Sequence, residues 1–300
     1  MADSLDLSVT QAVLAESGNW YVVVQRLGKG GNAVTYLVVA TTGQAKGVPF
    51  ALKIFRRLSK PERRETFLRE IDFLKKCDHP SIMRVFDSGT YRDQYPFVVA
   101  EYLPETLSSV MAQGASMELK VAYTLQLLSA LDYLANRAPP VIHRDIKPEN
   151  IFRKGHSCVL GDFGLMKQLG SLEEPDHAVL KESVGAGMPR SYRTPDLVTY
   201  YKREGPITPK SDVFQLGLVV AELFTGNNPL SPNEDFAAQV EMNPLGSLQG
   251  ALAKPILNLV GKMLVQDPNK RDSAATFIEL WQGVFFDAIQ RAHASGRTIF

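Results

Sequence analysis

The sequence predicts an α+β fold in two parts, a β-rich lobe with one helix followed by a larger, mainly helical lobe. Three observations predict it. Strand-like runs rich in Val, Ile, Tyr and Phe alternate with Gly-rich turns up to residue 102. One amphipathic helix interrupts them. Beyond residue 103, apolar residues recur at helical spacing over long stretches.

The elements follow in order. Residues 1–19 read as a short helical extension. Trp20 to Leu27, Ala33 to Ala40 and Pro49 to Phe55 read as strands separated by turns. A helix follows, with Ser59 as its expected cap, Glu62 as the capping-box partner and Pro61 in the first turn. Its apolar stripe is Phe67, Ile71 and Leu74. Ile82 to Asp87 and Tyr95 to Glu101 complete the strands of this lobe. In the second lobe, Met117 to Asn136 carries Val121, Leu125, Leu128 and Leu131 on one helical face. Short strands are expected around Val141 and Val159. The polar stretch from Lys167 to Arg190 has three glycines and little periodicity, which predicts a long mobile loop of functional length. Ser211 to Phe224 is an apolar helix stopped by Gly226. Ala251 to Ile289 is helical, with a break at Asp267-Pro268.

Composition narrows the function. The 300 residues carry 33 Lys and Arg against 32 Asp and Glu, a net charge of +1. So balanced a chain has no general attraction for nucleic acid or an anionic membrane. The pairs Arg56, Arg57 and Arg63, Arg64 read as solvated positions. Cys77 and Cys158 show no metal-ligand spacing and suit a reducing, cytoplasmic setting with free thiols. Met1 to Trp20 has no basic and apolar regions of a secretion signal. The longest apolar runs, such as Leu216 to Val220, are too short to span a bilayer. The chain reads as soluble.

Three short elements carry the chemistry. Gly28-Lys29-Gly30-Gly31-Asn32-Ala33 lies between two strands, where glycines let backbone N–H groups approach phosphate oxygens. Alone, such glycines are usually ordinary turn residues. His143-Arg144-Asp145-Ile146-Lys147-Pro148-Glu149-Asn150 is far more specific. Asp162-Phe163-Gly164 follows it. The order of the three removes the ambiguity of the first.

With these elements the chain resembles the eukaryotic-type protein kinase family from about Trp20 to Phe285. The resemblance implies a bilobal kinase fold. An N-lobe over 20–102, an antiparallel β-lobe with one key helix, precedes a C-lobe over 103–300, and ATP binds in the cleft. Residues 1–19 are then an extension to a single kinase unit over 20–285. The implied activity is transfer of the γ-phosphate of Mg·ATP to Ser or Thr of a protein substrate, with autophosphorylation. Phosphoryl transfer needs positioning and charge neutralisation more than covalent catalysis. Lys53, in Ala51-Leu52-Lys53, would hold the α- and β-phosphates, with Glu70 fixing its direction. Asn150 and Asp162 offer the oxygen ligands that Mg²⁺ favours. Asp145 would orient or accept the hydroxyl proton. Lys147, two residues on, would contact the transferred phosphate and marks a Ser/Thr rather than a Tyr kinase. Gly28, Lys29, Gly30, Gly31, Ala33, Thr35, Ala51, Ala100, Glu101, Leu103 and Phe152 would surround ATP. Leu74, His143 and Phe163 match a stacked apolar spine anchored by Asp212, and Thr194-Pro195-Asp196 stands where the family has Ala-Pro-Glu, with Arg271 as ion partner.

The chain departs from the family at several positions. Ala33 replaces a loop glycine and Thr35 a valine over the adenine. Ala100 at the gatekeeper position, just before the hinge Glu101-Tyr102-Leu103, implies an enlarged back pocket. Phe214 replaces a tryptophan, and Asp196 a glutamate. The resemblance makes Gly187 to Arg193 the substrate-binding segment, and the family's threonine near Pro189, which touches the catalytic Asp and Lys, is missing from it. Arg144 beside Asp145 implies control by loop phosphorylation, with Ser171, Ser183 and Ser191 as candidate sites. Glu173, Glu174 and Glu182 are rivals that could pair with Arg144 without modification. Two other functions compete. A non-catalytic binding module of the same fold should lack one of Lys53, Glu70, Asp145, Asn150 or Asp162, and all are present. A small-molecule kinase usually lacks the His-Arg-Asp-x-Lys-Pro-x-Asn run.

Overall fold

A computed structural model describes residues 5–171, 173–185 and 190–297. It divides into two compact units, Met1–Pro104 and Glu105–Phe300. In the first, β1 (Ala12–Leu14), β2 (Trp20–Lys29), β3 (Ala33–Ala40), β4 (Pro49–Phe55), β5 (Val85–Tyr91) and β6 (Tyr95–Glu101) form one antiparallel sheet in the order β1-β2-β3-β4-β6-β5, with helix α1 (Pro61–Lys75) between β4 and β5.

Strict alternation along β3 gives the sheet two working faces. Val34, Tyr36, Val38 and Ala40 are buried on one. They join Leu52, Ile54, Phe97 and Val99 in the main core of this unit. Lys53 points to the other face. Its cross-strand neighbour there is Val98, which packs with Phe55, Phe67 and Ile71 in a second cluster that brings in α1. Pro61 opens that helix, but Lys60 rather than Ser59 is the boundary residue and no side chain caps it. The proline explains why none is required. Its missing N–H removes one of the donors a cap would satisfy, and its ring sets the helical φ in advance.

Residues 5–19 are not helical. They add β1 to the sheet edge and bury Leu5, Leu7, Val13 and Ala15 in the main core. Each fully buried Leu or Val contributes about 1.5–3 kcal/mol, so the segment belongs to this unit energetically. Polar contacts fix its register. The buried Tyr36 hydroxyl accepts from Leu7 N–H at 2.8 Å and donates to Asp6 at 2.6 Å. Ser88 donates to Glu16 at 2.9 Å, and Asp87 accepts from Ser17 and Tyr21. The fifth strand starts at Val85 rather than Ile82, and a bulge between Val85 and Asp87 shifts its register against β6.

The second unit holds α2 (Leu107–Gln113), α3 (Met117–Ala135), β7 (Val141–Ile142), β8 (Ile151–Lys154), β9 (Ser157–Leu160), β10 (Lys167–Gln168), α4 (Glu173–Gly185), α5 (Pro195–Tyr201), α6 (Lys210–Thr225), α7 (Ala253–Met263) and α8 (Ala274–Ala294). Ser116, Thr194 and Ser273 cap α3, α5 and α8 through their side chains. Gly226, at φ 76°, ends α6 in the left-handed conformation that favours glycine. The small strands pair as β7 with β10 and β8 with β9. The segment expected to be a long loop is mostly helical, as α4, for reasons that lie in its anchoring. No helix among the described residues is long and apolar enough to cross a membrane.

Candidate active site

The first unit presents a glycine turn and an ion pair. Strands β2 and β3 run into the turn with Gly28 opposite Thr35 and Lys29 opposite Val34, and Gly30 N–H donates to Ala33 C=O at 2.9 Å. A Cβ on Gly28 or Gly31 would meet no other atom of the chain within 4 Å, and neither has a positive φ. Packing within the protein therefore does not call for glycine there, whereas close approach of a phosphate does. Arg56 is not simply solvated: its guanidinium donates to the Gly30 and Gly31 carbonyls at 3.2 and 3.4 Å. Arg63 is buried.

Lys53 Nζ lies 2.9 Å from Glu70 Oε1, with Lys53 26% and Glu70 4% exposed at the side chain. The strand sends the cation to the α1 face, and helical spacing puts Glu70 beside it. Lys53 also lies 5.7 Å from the Phe67 ring centre. Thr35 and Val98 flank Lys53 on the neighbouring strands, and Ala51 pairs directly with Ala100. Glu101 accepts a hydrogen bond from Arg84 N–H at 3.1 Å, while Leu103 follows the strand half-buried.

The second unit holds the His143–Asn150 segment, on irregular backbone. Arg144 and Asp162 both have positive φ, 67° and 56°. A non-glycine residue in that region carries strain of about 1–3 kcal/mol, so something must hold it. Asp212, near the start of α6, accepts from His143 N–H at 2.7 Å and Arg144 N–H at 2.9 Å. Burial pushes its carboxyl up to about 7 against the pull of these two N–H groups and of Arg144 toward the charged form. His143 is fully buried, its Nδ1 accepting from Asp145 N–H at 3.2 Å and its Nε2 lying 3.1 Å from Gly161 C=O. That pattern requires a neutral ring with the proton on Nε2, and burial pushes the imidazole down to about 4. The His143 ring meets Phe163 edge-on, 4.5 Å between centres.

Asp145 is held from two sides. Lys147 Nζ reaches its carboxylate oxygens at 3.0 and 2.8 Å. Asn150 Nδ2 reaches its Oδ2 and its carbonyl, each at 2.8 Å. Burial raises its proton affinity, and Lys147 opposes that rise. Because Asn150 spends its nitrogen on Asp145, its amide oxygen remains the donor for a cation. With the Asp162 carboxylate this is an all-oxygen donor set, which fits Mg²⁺. Phe152 sits on β8 opposite Val159, bridged to Thr106.

The segment after Asp162 is anchored by acid–base pairs. The Arg144 guanidinium makes a bidentate pair with Asp176 of α4, at 2.7 and 2.8 Å, and also donates to Leu165 C=O. Tyr200 donates to the same carboxylate at 2.7 Å, and Lys167 lies 3.6 Å away. Burial raises the affinity of Asp176 for a proton, but Arg144 and the other donors outweigh it and hold the carboxyl below its usual range. His177 stacks on Tyr200 at 4.2 Å. These contacts order α4, where local sequence predicts a loop. Of the carboxylates expected near Arg144, Glu174 pairs instead with Arg203 at 2.7 Å; the residue that faces Arg144 is Asp176, which sequence reasoning passed over. Among the serine candidates, Ser183 donates back to Val179 C=O, Ser171 turns onto Gln168, and the Ser191 carbonyl accepts from Asn228. Pro189 lies outside the described residues.

Asp196 reaches Arg271 at 2.8 Å despite being one methylene shorter than glutamate. Arg271 also donates to the carbonyls of Lys210, Val265 and Gln266 and lies 4.8 Å from the Phe214 ring centre.

A family model described as the protein kinase domain matches residues 21–281. The chain belongs to the protein kinase family. Similar curated proteins include probable serine/threonine-protein kinase MARK-C of Dictyostelium discoideum, 26% identical over 79% of this chain and 30% of that one. Serine/threonine-protein kinase CHK1 of Saccharomyces cerevisiae is 30% identical over 68% of this chain and 39% of its own length. Serine/threonine-protein kinase PAK mbt of Drosophila melanogaster is 29% identical over 83% and 38%. The chain thus spans well under half the length of these relatives. Within this kinase, Lys53, Glu70 and the glycine turn lie in the first unit, and Asp145, Lys147, Asn150, Phe152 and Asp162 in the second.

Proposed function

We propose that this chain is an active serine/threonine protein kinase that transfers the γ-phosphate of Mg·ATP to protein hydroxyls, including its own. The observation that carries the reading is the Asp145 carboxylate held at once by Lys147 and Asn150. A carboxylate so fixed can orient an acceptor hydroxyl and take its proton as the bond to phosphorus forms. Lys147 then supplies positive charge beside the group being transferred. Lys53, steadied by Glu70, holds the phosphates of the nucleotide, and the glycine turn offers N–H donors to them. Asn150 and Asp162 would hold Mg²⁺, which when bound neutralises phosphate charge.

The anchoring of α4 fits activity without modification. Asp176 supplies the negative charge that Arg144 would otherwise draw from a phosphate, as a bidentate pair. Phosphorylation of Ser171, Ser183 or Ser191 is then a modulation rather than a requirement.

The test is purified protein with Mg²⁺ and labelled ATP, with and without a generic basic protein, beside Asp162→Ala. Label on Ser or Thr that disappears in the variant is expected. Nucleotide binding without transfer would replace this reading with that of a binding module of the same fold.

A further inference from the structure

Helix α6 carries a second polar residue one turn beyond Asp212. Gln215 is 2% exposed and stands in an otherwise apolar helical run, Val213-Phe214-Gln215-Leu216. All the hydrogen-bonding atoms of its side chain amide are engaged. Oε1 accepts from Ile146 N–H at 3.0 Å. Nε2 donates to Arg144 C=O at 3.1 Å and to Tyr192 C=O at 2.8 Å.

The first two partners are the peptide groups on either side of Asp145. The Arg144 carbonyl belongs to the bond entering Asp145, and the Ile146 N–H to the bond leaving it. Asp212 already holds the two N–H groups before them. Residues 212 and 215, three apart on one helix, share a face. Together they fix the backbone from His143 to Ile146. The third partner lies elsewhere, in the 190–192 turn. That turn is also tied down by Asn228, which donates to Ser191 C=O at 2.8 Å, and by Tyr192, which donates to Glu222 at 2.5 Å. One amide thus joins the Asp145 backbone to the 190–192 turn, in the last part of the segment expected to bind the peptide acceptor. Only an amide supplies one acceptor and two donors in this plane. A serine is too short, a carboxylate lacks the donors and an apolar side chain lacks both.

We propose that Gln215 is a positioning residue for phosphoryl transfer, setting Asp145 against the 190–192 turn. It touches neither substrate nor nucleotide. The proposal rests on the kinase reading above. Small displacements of a catalytic group cost large factors in rate, about 10²-fold for 1 Å.

The test compares wild type with Gln215→Met, nearly isosteric, and Gln215→Asn, one methylene shorter. Rates are normalised to the fraction of molecules that bind Mg·ATP. The expected result for either variant is a kcat on a protein acceptor lowered by roughly 10–100-fold, with KM for ATP changed less than about twofold. Amide hydrogen exchange gives the independent readout. Protection of the Ile146 N–H should fall selectively, while His143 and Arg144, held by Asp212, keep theirs. An unchanged kcat per nucleotide-binding molecule would overturn the proposal. So would equal losses of protection at His143, Arg144 and Ile146, which would mark Gln215 as a folding residue only. If the wild type itself transfers no phosphate, the kinase reading fails and the catalytic role of Gln215 fails with it. Selective loss at Ile146 would then still establish the clamp as structure. If one variant does not fold, the other decides.

Discussion

The two units place their functional side chains by different means. In the first, Lys53, Glu70, Ala51 and Ala100 sit on regular strands and a regular helix, and alternation or helical spacing decides where each points. In the second, Arg144, Asp145 and Asp162 lie on irregular backbone, two of them at positive φ, and buried side chains of α6 hold the backbone from His143 to Ile146. Pattern positions the first set and polar scaffolding the second. Substitutions of scaffold residues should therefore cost stability or rate, whereas substitutions at Ala51 and Ala100 should change nucleotide selectivity and leave the fold intact.

The largest effect expected is at Arg271. Arg271→Met would leave the Asp196 carboxylate buried and without its cation, along with three carbonyls that lose a donor. Breaking a buried pair from one side costs about 3–5 kcal/mol. Denaturant unfolding of the whole chain measures it, and a loss below about 1 kcal/mol would make the pair no more than a surface contact. Asp176→Asn probes a second buried arginine pair, Arg144 with Asp176 of α4. It keeps the shape and removes the charge that Arg144 and Lys167 face. A coupling of roughly tenfold in kcat is expected, with a smaller loss of stability than at Arg271. The companion test changes Ser171, Ser183 and Ser191 together to alanine in the wild type. Retained activity there, with loss in Asp176→Asn, would establish the carboxylate as the anchor of α4. Loss in the triple variant would return control to phosphorylation.

On the sheet, Ala100 and Ala51 face each other across β4 and β6, the smallest side chains that strand pairing allows there short of glycine. The expectation of a back pocket beside Ala100 gives the next effect. Adenine analogues with a bulky substituent should bind the wild type better than Ala100→Phe by roughly tenfold or more, while unfolding of the two proteins stays similar. Equal binding would remove the pocket.

The same contrast explains what could be read from the sequence. Strands β2 to β4 and β6, with α1, α3 and α6, follow from periodicity; the motifs contain Asp145, Asn150 and Asp162, and the resemblance adds Lys53. What escaped depends on partners far along the chain. Residues 5–19 look like a polar extension until Leu5, Leu7 and Val13 are seen against a sheet that needs covering. The 173–185 segment looks like a loop because its helix is anchored by Arg144 and Tyr200, which come from other elements. Ser59 offered a cap that Pro61 made unnecessary. Gln215 carried a readable signal: an amide inside an apolar helix must find partners. Which partners it finds depends on the catalytic loop, 69 and 71 residues away in sequence.

The smallest expected effect sharpens the account of that loop. His143 would ordinarily gain a proton near pH 6.5. Here Nδ1 accepts from Asp145 N–H, and Nε2–H donates to Gly161 C=O. A second proton could go only on Nδ1, where it would meet the Asp145 N–H instead of accepting from it. Burial works in the same direction, and so do the nearby charges of Lys147 and Arg144; the Gly161 carbonyl and Asp162 oppose it. The imidazole should therefore stay neutral until about pH 4. Nitrogen chemical shifts of the ring should show the Nε2–H tautomer unchanged between pH 7.5 and pH 5.5, roughly one unit either side of the ordinary value. A His143 titration at the ordinary value would mean that the Asp145 N–H is not held by Nδ1, and the catalytic loop would lose one of the contacts that orient Asp145.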